Sequence, residues 1–441
     1  MCGVTRIDWC SRRGDPLHGN VRVPGDKSIS HRALMLASIA RGSSHLHGFL
    51  EGADTRATAA VFAQLGVRVE TPAVGERIVQ GVGLYGLRGS AQPLDCGNAG
   101  TGMRLLAGLL AGQAFDSTLT GDASLSTRPM RRVIDPLTQM GAHIDSRDGL
   151  PPLHVRGGQR LRGCRHNPAV ASAQVKSALL LAGLYADGET EVVEQHPTRD
   201  CTERMLAAFG WPVDYAPGHT RLSGGHVLQA VDVYVPADFS SAAFFLVAAS
   251  IVPGSDLRLP AVGLSPRRTG LLWALRLMGA NIRIENPRTD GGEPTGDLIV
   301  RHAPLHGIDL PAELVPDMID ELPALFVAAS VADGITRIGG AAELRVKESD
   351  RIAVMAAGLR TLGVSIEEMP DGAIIHGGRL GGGRVDSHLD HRVAMSFAVA
   401  GLVADAPVEI TDCVHVATSF PGFRALANGC GFHIDEGEHC P

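Results

Sequence analysis

The sequence predicts an α/β protein built as two lobes, each of three repeated units. Two helical patterns carry that prediction. One is an apolar helix of small residues that ends at a turn. The other is amphipathic, ends at a glycine and leads into a β-branched strand. The two alternate in step six times along 441 residues, a length too great for one ordinary core.

The first pattern begins with SHRALMLASIARG at Ser30 and returns as GTGMRLLAGLLAG, ASAQVKSALLLAGLYADG, FSSAAFFLVAASIVPG, DELPALFVAASVADG and DHRVAMSFAVAGLVAD. These helices are apolar round most of their circumference, so they are expected at the centre of each lobe. The second pattern, as in DTRATAAVFAQLGVRV and ESDRIAVMAAGLRTLGVSI, has a charged face and is expected outside. Its closing glycines are Gly66, Gly141, Gly210, Gly279, Gly363 and Gly431. They fall roughly 70 residues apart, too far for a solenoid repeat of about 20–50 residues. Each unit therefore has room for two helices and several short strands. HIDSRDGLPPLHVRG, NIRIENPRTDGG, DLIVRHAPL and AIIHGG read as those strands. Chance likeness among Ala/Leu-rich helices is the competing reading, and alternation in step six times argues against it.

Composition narrows the function. A net charge of −7 with 4% aromatics argues against a nucleic-acid binder held by bulk charge or base stacking. Any anion site must be built locally, against the global sign. The eight cysteines include no CxxC pair, and their spacing indicates neither a zinc site nor a disulfide framework. The N-terminus has no signal-peptide apolar region and no apolar run reaches membrane-spanning length, so a cytoplasmic protein is expected.

Polar residues gather where the buried helices start. In RVPGDKSISHRALMLASIA, Lys27, Ser28, Ser30, His31 and Arg32 head the first helix. Asp26 or Ser28 can cap it, and its free N–H groups and dipole favour an anion. The spacing is not that of a P-loop. DCGNAGTGMRLLAG, from Asp95, is a glycine-rich loop that lets backbone approach a ligand. GDASLSTRPM brings Arg128, SAQVKS brings Ser172, Gln174 and Lys176, and TRD brings Arg199. PDMIDELPA carries Asp317, Asp320 and Glu321; RVKESDR carries Lys347, Glu348, Asp350 and Arg351; LDHRVAMS carries Asp390, His391 and Arg392. Singly, each has a plain alternative: a solvated cation, a helix cap at Asp317, a structural hydrogen bond at His391. As a set, the cations suit substrates bearing phosphate and carboxylate, and Asp317 and Glu348 suit proton transfer.

These blocks, from about residue 22 to 424 and in the same order, resemble the signature blocks of the 5-enolpyruvylshikimate-3-phosphate synthase family. Carrying the likeness are GDKSISHRALMLA, NAGTGMRLLAG, GDASLSTRPM, SAQVKSALLLAG, TRDCTE, LRVKESDRI and DHRVAMS. The resemblance implies the two-lobed enolpyruvyl transferase fold, an inside-out α/β barrel of six βαβαββ repeats, three per lobe. It implies a discontinuous first lobe, 1–24 and 236–441, a second lobe, 25–235, and an active site in the cleft between them. The implied reaction moves the enolpyruvyl group of phosphoenolpyruvate to the 5-hydroxyl of shikimate 3-phosphate and releases phosphate. No metal or organic cofactor is implied, and a monomer is the family expectation.

By resemblance, Lys27, Ser28, Arg32, Ser172, Gln174, Arg199, Asp317 and Lys347 are expected to hold shikimate 3-phosphate. Lys27, Gly100, Arg128, Gln174, Arg351 and Arg392 are expected around phosphoenolpyruvate, with Lys347 also close to it. Asp317 is expected to take the 5-hydroxyl proton, and Glu348, with Lys27 as its rival, to serve the methylene carbon. Ala173, where many members have serine, Ser419 before Phe420, where many have lysine, and Arg199 in TRD resemble the class II subgroup. Gly100 leaves room for the family inhibitor glyphosate. The related UDP-N-acetylglucosamine enolpyruvyl transferases typically have Lys-Asn at Lys27-Ser28 and Cys at Ala123, which points away from them. A non-catalytic anion-binding protein is the other alternative, and it would not need the carboxylates.

Overall fold

The computed structural model describes residues 7–168, 172–290 and 292–437. The chain forms two compact units: residues 25–236 with 289–293, and residues 1–24, 237–288 and 294–441.

In the unit that starts at Gly25, six helices alternate as the sequence patterns do: α1 (Lys27–Ile39), α2 (Ala53–Gln64), α3 (Gly100–Ala111), α4 (Arg131–Gln139), α5 (Ala173–Gly183) and α6 (Cys201–Ala208). The other unit repeats the order with α7 (Phe239–Ile251), α8 (Gly270–Leu277), α9 (Leu322–Val331), α10 (Arg351–Thr361), α11 (His391–Gly401) and α12 (Phe423–Asn428). The odd-numbered helices are buried round nearly their whole circumference and form the middle of the two hydrophobic cores. The even-numbered ones bury one face, as α4 does through Val133, Ile134 and Leu137.

One strand pattern recurs. Leu94–Asp95 runs parallel to Ser117–Thr120, which pairs antiparallel with Leu150–Val155, and that strand pairs antiparallel with Ile144–Arg147. Arg165–His166, Glu189–Val193, His219–Ser223 and Val213–Ala216 repeat it. So do the other three four-stranded sheets, in which distant pieces of chain fill the pattern. Val233–Tyr234 supplies the parallel strand beside Arg41–His47, and His18–Asn20 supplies the one beside Asp256–Gly263. In a third such case, Trp9–Arg12 is inserted between Val408–Thr411 and His433–Glu436. The remaining sheet has three strands, Ile335–Ile338, Gly372–His376 and Ser365–Met369. Isolated parallel bridges from His306 to Asp333 and from Asp309 to Arg337 stand where its parallel strand would be. The fold is thus six βαβαββ repeats.

All six closing glycines have positive φ, from 79° at Gly210 to 126° at Gly431. That left-handed conformation turns the chain out of each outer helix into its strand at little steric cost. Gly108 serves a different need. A Cβ there would stand 2.1 Å from the Ala178 carbonyl oxygen, so α3 and α5 touch backbone to backbone. Cys10 is disulfide-bonded, which corrects the expectation drawn from cysteine spacing. Cys96, Cys164, Cys201, Cys413 and Cys430 are free thiols.

Gly108→Val forces α3 and α5 apart. We expect it to destabilise the protein by about 1–3 kcal/mol, read as a lower melting temperature. An unchanged melting temperature would show that the helix contact is not tight.

Candidate active site

The unit containing α1 holds its cations with neutral groups as well as acids. Asp26 caps α1, accepting from the Ile29 N–H at 2.9 Å. Ser28 is not the cap; its carbonyl accepts from Arg32 at 2.9 Å. Arg32, only 3% exposed, also donates Nε to Thr202 at 2.6 Å and a terminal nitrogen to Ser177 at 2.8 Å. One guanidinium thereby ties α1 to α5 and α6 through uncharged oxygens. Lys27 lies 3.1 Å from Asp54 Oδ2 on α2.

Around the start of α3, Gln174 accepts from Arg104 at 2.6 Å and donates to Thr101 at 3.0 Å. Arg128 donates to Asn98 at 2.8 Å, and Asn98 donates to Asp122 at 2.7 Å. A Cβ on Gly100 would stand 3.0 Å from an Arg128 terminal nitrogen and 3.5 Å from one of Arg104. Gly100, Arg104, Arg128 and Gln174 are therefore one neighbourhood. The start of α3 carries no side-chain cap, so its first N–H groups add to the anion-attracting field there. Ser172 caps α5 with a long 3.5 Å bond to the Val175 N–H. Arg199 is half-buried in the loop before α6, beside Thr198, whose hydroxyl and N–H both donate to Glu194. Glu194 is gripped in turn by buried Lys176 at 2.9 Å, which also meets Glu203 at 2.8 Å. Burial opposes the Lys176 charge, but Glu203 and Glu194 outweigh it and raise its pKa.

The other unit arranges its charges as acid–base chains. Asp317, 7% exposed, accepts from Arg267 at 3.2 Å. It is not the cap of α9, which has none. Arg351, 1% exposed, donates to Asp390 at 2.8 Å and to Glu348 at 2.6 Å. Burial opposes its charge, yet Asp390 and Glu348 outweigh that and raise its pKa. Asp320 sits 3.5 Å from Arg351 and 3.6 Å from Lys347. Arg392 donates to the Asp320 carbonyl at 3.0 Å and stands 3.8 Å from Glu321. Asp320 and Asp390 thus gather Lys347, Glu348, Arg351 and Arg392. Asp390 also caps α11 through the Arg392 N–H, and Asp350 caps α10 through the Ala353 N–H.

Several members of these networks were not singled out by sequence reasoning. Arg104 is the plainest: an arginine inside an otherwise apolar helix is a signal in itself. Asp54, Thr202, Arg267 and Arg268 had none, since each lies in an outer-helix or loop segment that reads as ordinary surface. Arg268 is buried against Asp238 and donates to Ser240 at 3.0 Å. Ser240 donates to Glu321.

His31 shows what burial does beside these cations. Its Nδ1 pairs with Thr58 at 2.9 Å. Burial, with Lys27 and then Arg32 adding to it, lowers its pKa from 6.5 to about 3. Between those values the unfolded chain binds a proton that the folded chain refuses. Stability from this group is therefore complete above 6.5 and falls as pH falls toward 3. We expect His31→Gln to reduce the pH slope of stability across that window by about one proton, measured by urea unfolding at several pH values. Equal slopes in the two proteins would refute the assignment.

Comparison with known proteins gives one answer. The EPSP synthase (3-phosphoshikimate 1-carboxyvinyltransferase) family matches residues 11–426. The chain is 64% identical over 432 residues to the 3-phosphoshikimate 1-carboxyvinyltransferase of Xanthomonas axonopodis pv. citri, covering 98% of each. It is 65% identical over 428 residues to that of Xanthomonas euvesicatoria pv. vesicatoria, covering 97% of each. Among solved structures it is similar to the EPSP synthase of Acinetobacter baumannii, with TM-score 0.89, 49% identity, and coverage of 98% of this chain and 100% of that one.

Proposed function

The chain belongs to the EPSP synthase (3-phosphoshikimate 1-carboxyvinyltransferase) family, and from that premise we propose how its residues divide the reaction. The enzyme is a transferase of the shikimate pathway. It moves the enolpyruvyl group of phosphoenolpyruvate to the 5-hydroxyl of shikimate 3-phosphate and releases phosphate. Relatives 64–65% identical over nearly the whole chain bear the name 3-phosphoshikimate 1-carboxyvinyltransferase, which supports this reading over the UDP-N-acetylglucosamine one.

Phosphoenolpyruvate carries a phosphate and a carboxylate, and both need fixed positive charge. Arg104, Arg128, the uncapped start of α3 and Gln174 are proposed to receive it, with Arg392, Arg351, Lys347 and Lys27 completing its surroundings. Arg32, Ser28, Ser172 and Arg199 are proposed to hold the 3-phosphate and ring of shikimate 3-phosphate. In the chemical step, Asp317 takes the 5-hydroxyl proton as that oxygen attacks C2 of phosphoenolpyruvate. Glu348, with Lys27 as the rival donor, protonates the methylene carbon to a methyl group. The tetrahedral adduct then loses a methyl proton and expels phosphate, restoring the double bond. Cations in place before that expulsion stabilise the departing charge without reorganisation.

The observation that carries the proposal is the anchoring of these groups. Arg32 and Arg351 are buried and each held by three or more bonds and ion pairs, and Asp317 is buried against an arginine. Such groups are oriented before a ligand arrives. We propose a monomer, the state that the family resemblance implies. Both substrates are multiply charged and do not cross membranes unaided, which supports a cytoplasmic location.

Phosphate release tests the reading. Purified protein is expected to release phosphate from phosphoenolpyruvate only when shikimate 3-phosphate is present. Asp317→Ala is expected to lower kcat by about 10²–10⁴-fold while still binding shikimate 3-phosphate. Full activity in that variant would remove Asp317 from the proton path. Release with UDP-N-acetylglucosamine in place of shikimate 3-phosphate would overturn the substrate assignment.

Gly100 generates a second expectation. Glyphosate, the inhibitor of this enzyme class, is expected to compete with phosphoenolpyruvate, with an inhibition constant no greater than the KM for phosphoenolpyruvate. Gly100→Ala puts a methyl group 3.0 Å from Arg128 and should weaken glyphosate more than substrate. An inhibition constant far above the KM in the unaltered enzyme would show that the space beside Gly100 is not available to it.

A further inference from the structure

We infer that His45, His47 and Glu76 form a binding site for a divalent transition-metal ion of the zinc class, apart from the residues assigned to catalysis. His45 and His47 alternate on the strand Arg41–His47, so they share one face, while Ser44 and Leu46 point into the core. The register sets Glu76 directly across from His47. Cross-strand neighbours on one face are close enough to act on the same ligand.

The donor atoms of the three side chains lie within 4.8 Å of one another. Glu76 Oε2 is 3.4 Å from His45 Nε2, and Glu76 Oε1 is 3.9 Å from His47 Nδ1. Donors around a tetrahedral zinc, at metal distances of 2.0–2.2 Å, stand about 3.4 Å apart. Small side-chain rotations therefore bring the set into range. The two imidazole rings are already in contact, with centroids 3.9 Å apart. Protonating both would set two cations against a single carboxylate. One metal ion satisfies both nitrogens and the carboxylate together.

The surroundings hold the donors still. The His47 ring stacks on Tyr234, with centroids 4.6 Å apart and planes 10° apart, and Tyr234 is the strand partner of His47 on its other side. The His45 backbone N–H donates to Asp232 at 3.0 Å. His45 Nε2 is shielded from solvent and makes no hydrogen bond. Two imidazoles and one carboxylate suit zinc, cobalt, nickel or copper and not magnesium or calcium, whose ligands are oxygens. Three protein donors leave a coordination position for water.

The test uses the full chain freed of metal by chelation, titrated with Zn²⁺ by calorimetry and with Co²⁺ by visible absorption. Expected are saturation at this site, a higher melting temperature with Zn²⁺, and a Co²⁺ spectrum showing nitrogen and oxygen ligands. His45→Ala and His47→Ala should each weaken binding by at least about tenfold. Glu76→Gln, close in shape, should also weaken it and carries the test if a histidine variant fails to fold. Phosphate release by metal-free protein should be the same in all of them. Absence of binding, or binding unchanged in affinity in all three variants, would overturn the site.

Discussion

Burial of guanidinium groups near the starts of helices is the constraint on which the rest of this structure depends. A helix such as α7 or α9, apolar on every side, can only sit in a core. Its first turn still has unpaired N–H groups; the inner helices α1 and α11 add Arg32 and Arg392 within their first two turns, and the outer helix α10 adds Arg351 at its first position. An unpaired buried charge costs several kcal/mol. Each such cation must therefore be met by groups from neighbouring repeats, and meeting it fixes where those repeats lie. Arg32 pulls on α5 and α6 in this way, and Arg351 pulls on the segment before α11.

The two units solve the problem differently. Arg32 is satisfied by a carbonyl and two hydroxyls. Neutral partners fill its hydrogen-bonding directions without cancelling its charge, so its field remains available to an anion. Arg351 is met by Asp390, Glu348 and Asp320. That arrangement spends much of the charge on orienting carboxylates. A field that stays positive suits holding phosphate. A set of carboxylates, each anchored by an arginine, suits proton transfer, because the anchoring fixes where the proton is taken or given. The roles proposed for Arg32 and for Glu348 follow from the partners each has.

Much of the fold was legible in the sequence because it rests on local rules. Apolar helices of small residues, an amphipathic partner and a glycine at its end are each visible within a short window. The positive φ at all six closing glycines is the physical reason that the glycine recurs. What was not legible is what joins distant pieces. Trp9–Arg12, His18–Asn20 and Val233–Tyr234 complete sheets whose other strands lie elsewhere in the chain, and strands this short carry no periodicity to read. The disulfide at Cys10 likewise has no signal in cysteine spacing.

The candidate site divides along the same line. Lys27, Arg32, Arg128, Lys347, Arg351 and Arg392 stood out because cations at helix starts form a pattern within each repeat. Their partners did not, because a partner is defined by contact and not by sequence neighbourhood. Arg32 and Ser177 are separated by 145 positions, and Ser177 alone reads as a helix serine. Glu348 is the instructive intermediate. Its arginine, Arg351, lies one helical turn away, so the pair can be guessed from the i,i+3 spacing. The second carboxylate on that arginine, Asp390, is 39 positions distant and reads as nothing more than the cap of α11. It is both: the same carboxylate that caps α11 through the Arg392 N–H also orients Arg351. A residue with one obvious local role can hide a second, and burial of a cation beside it is the observation that reveals it.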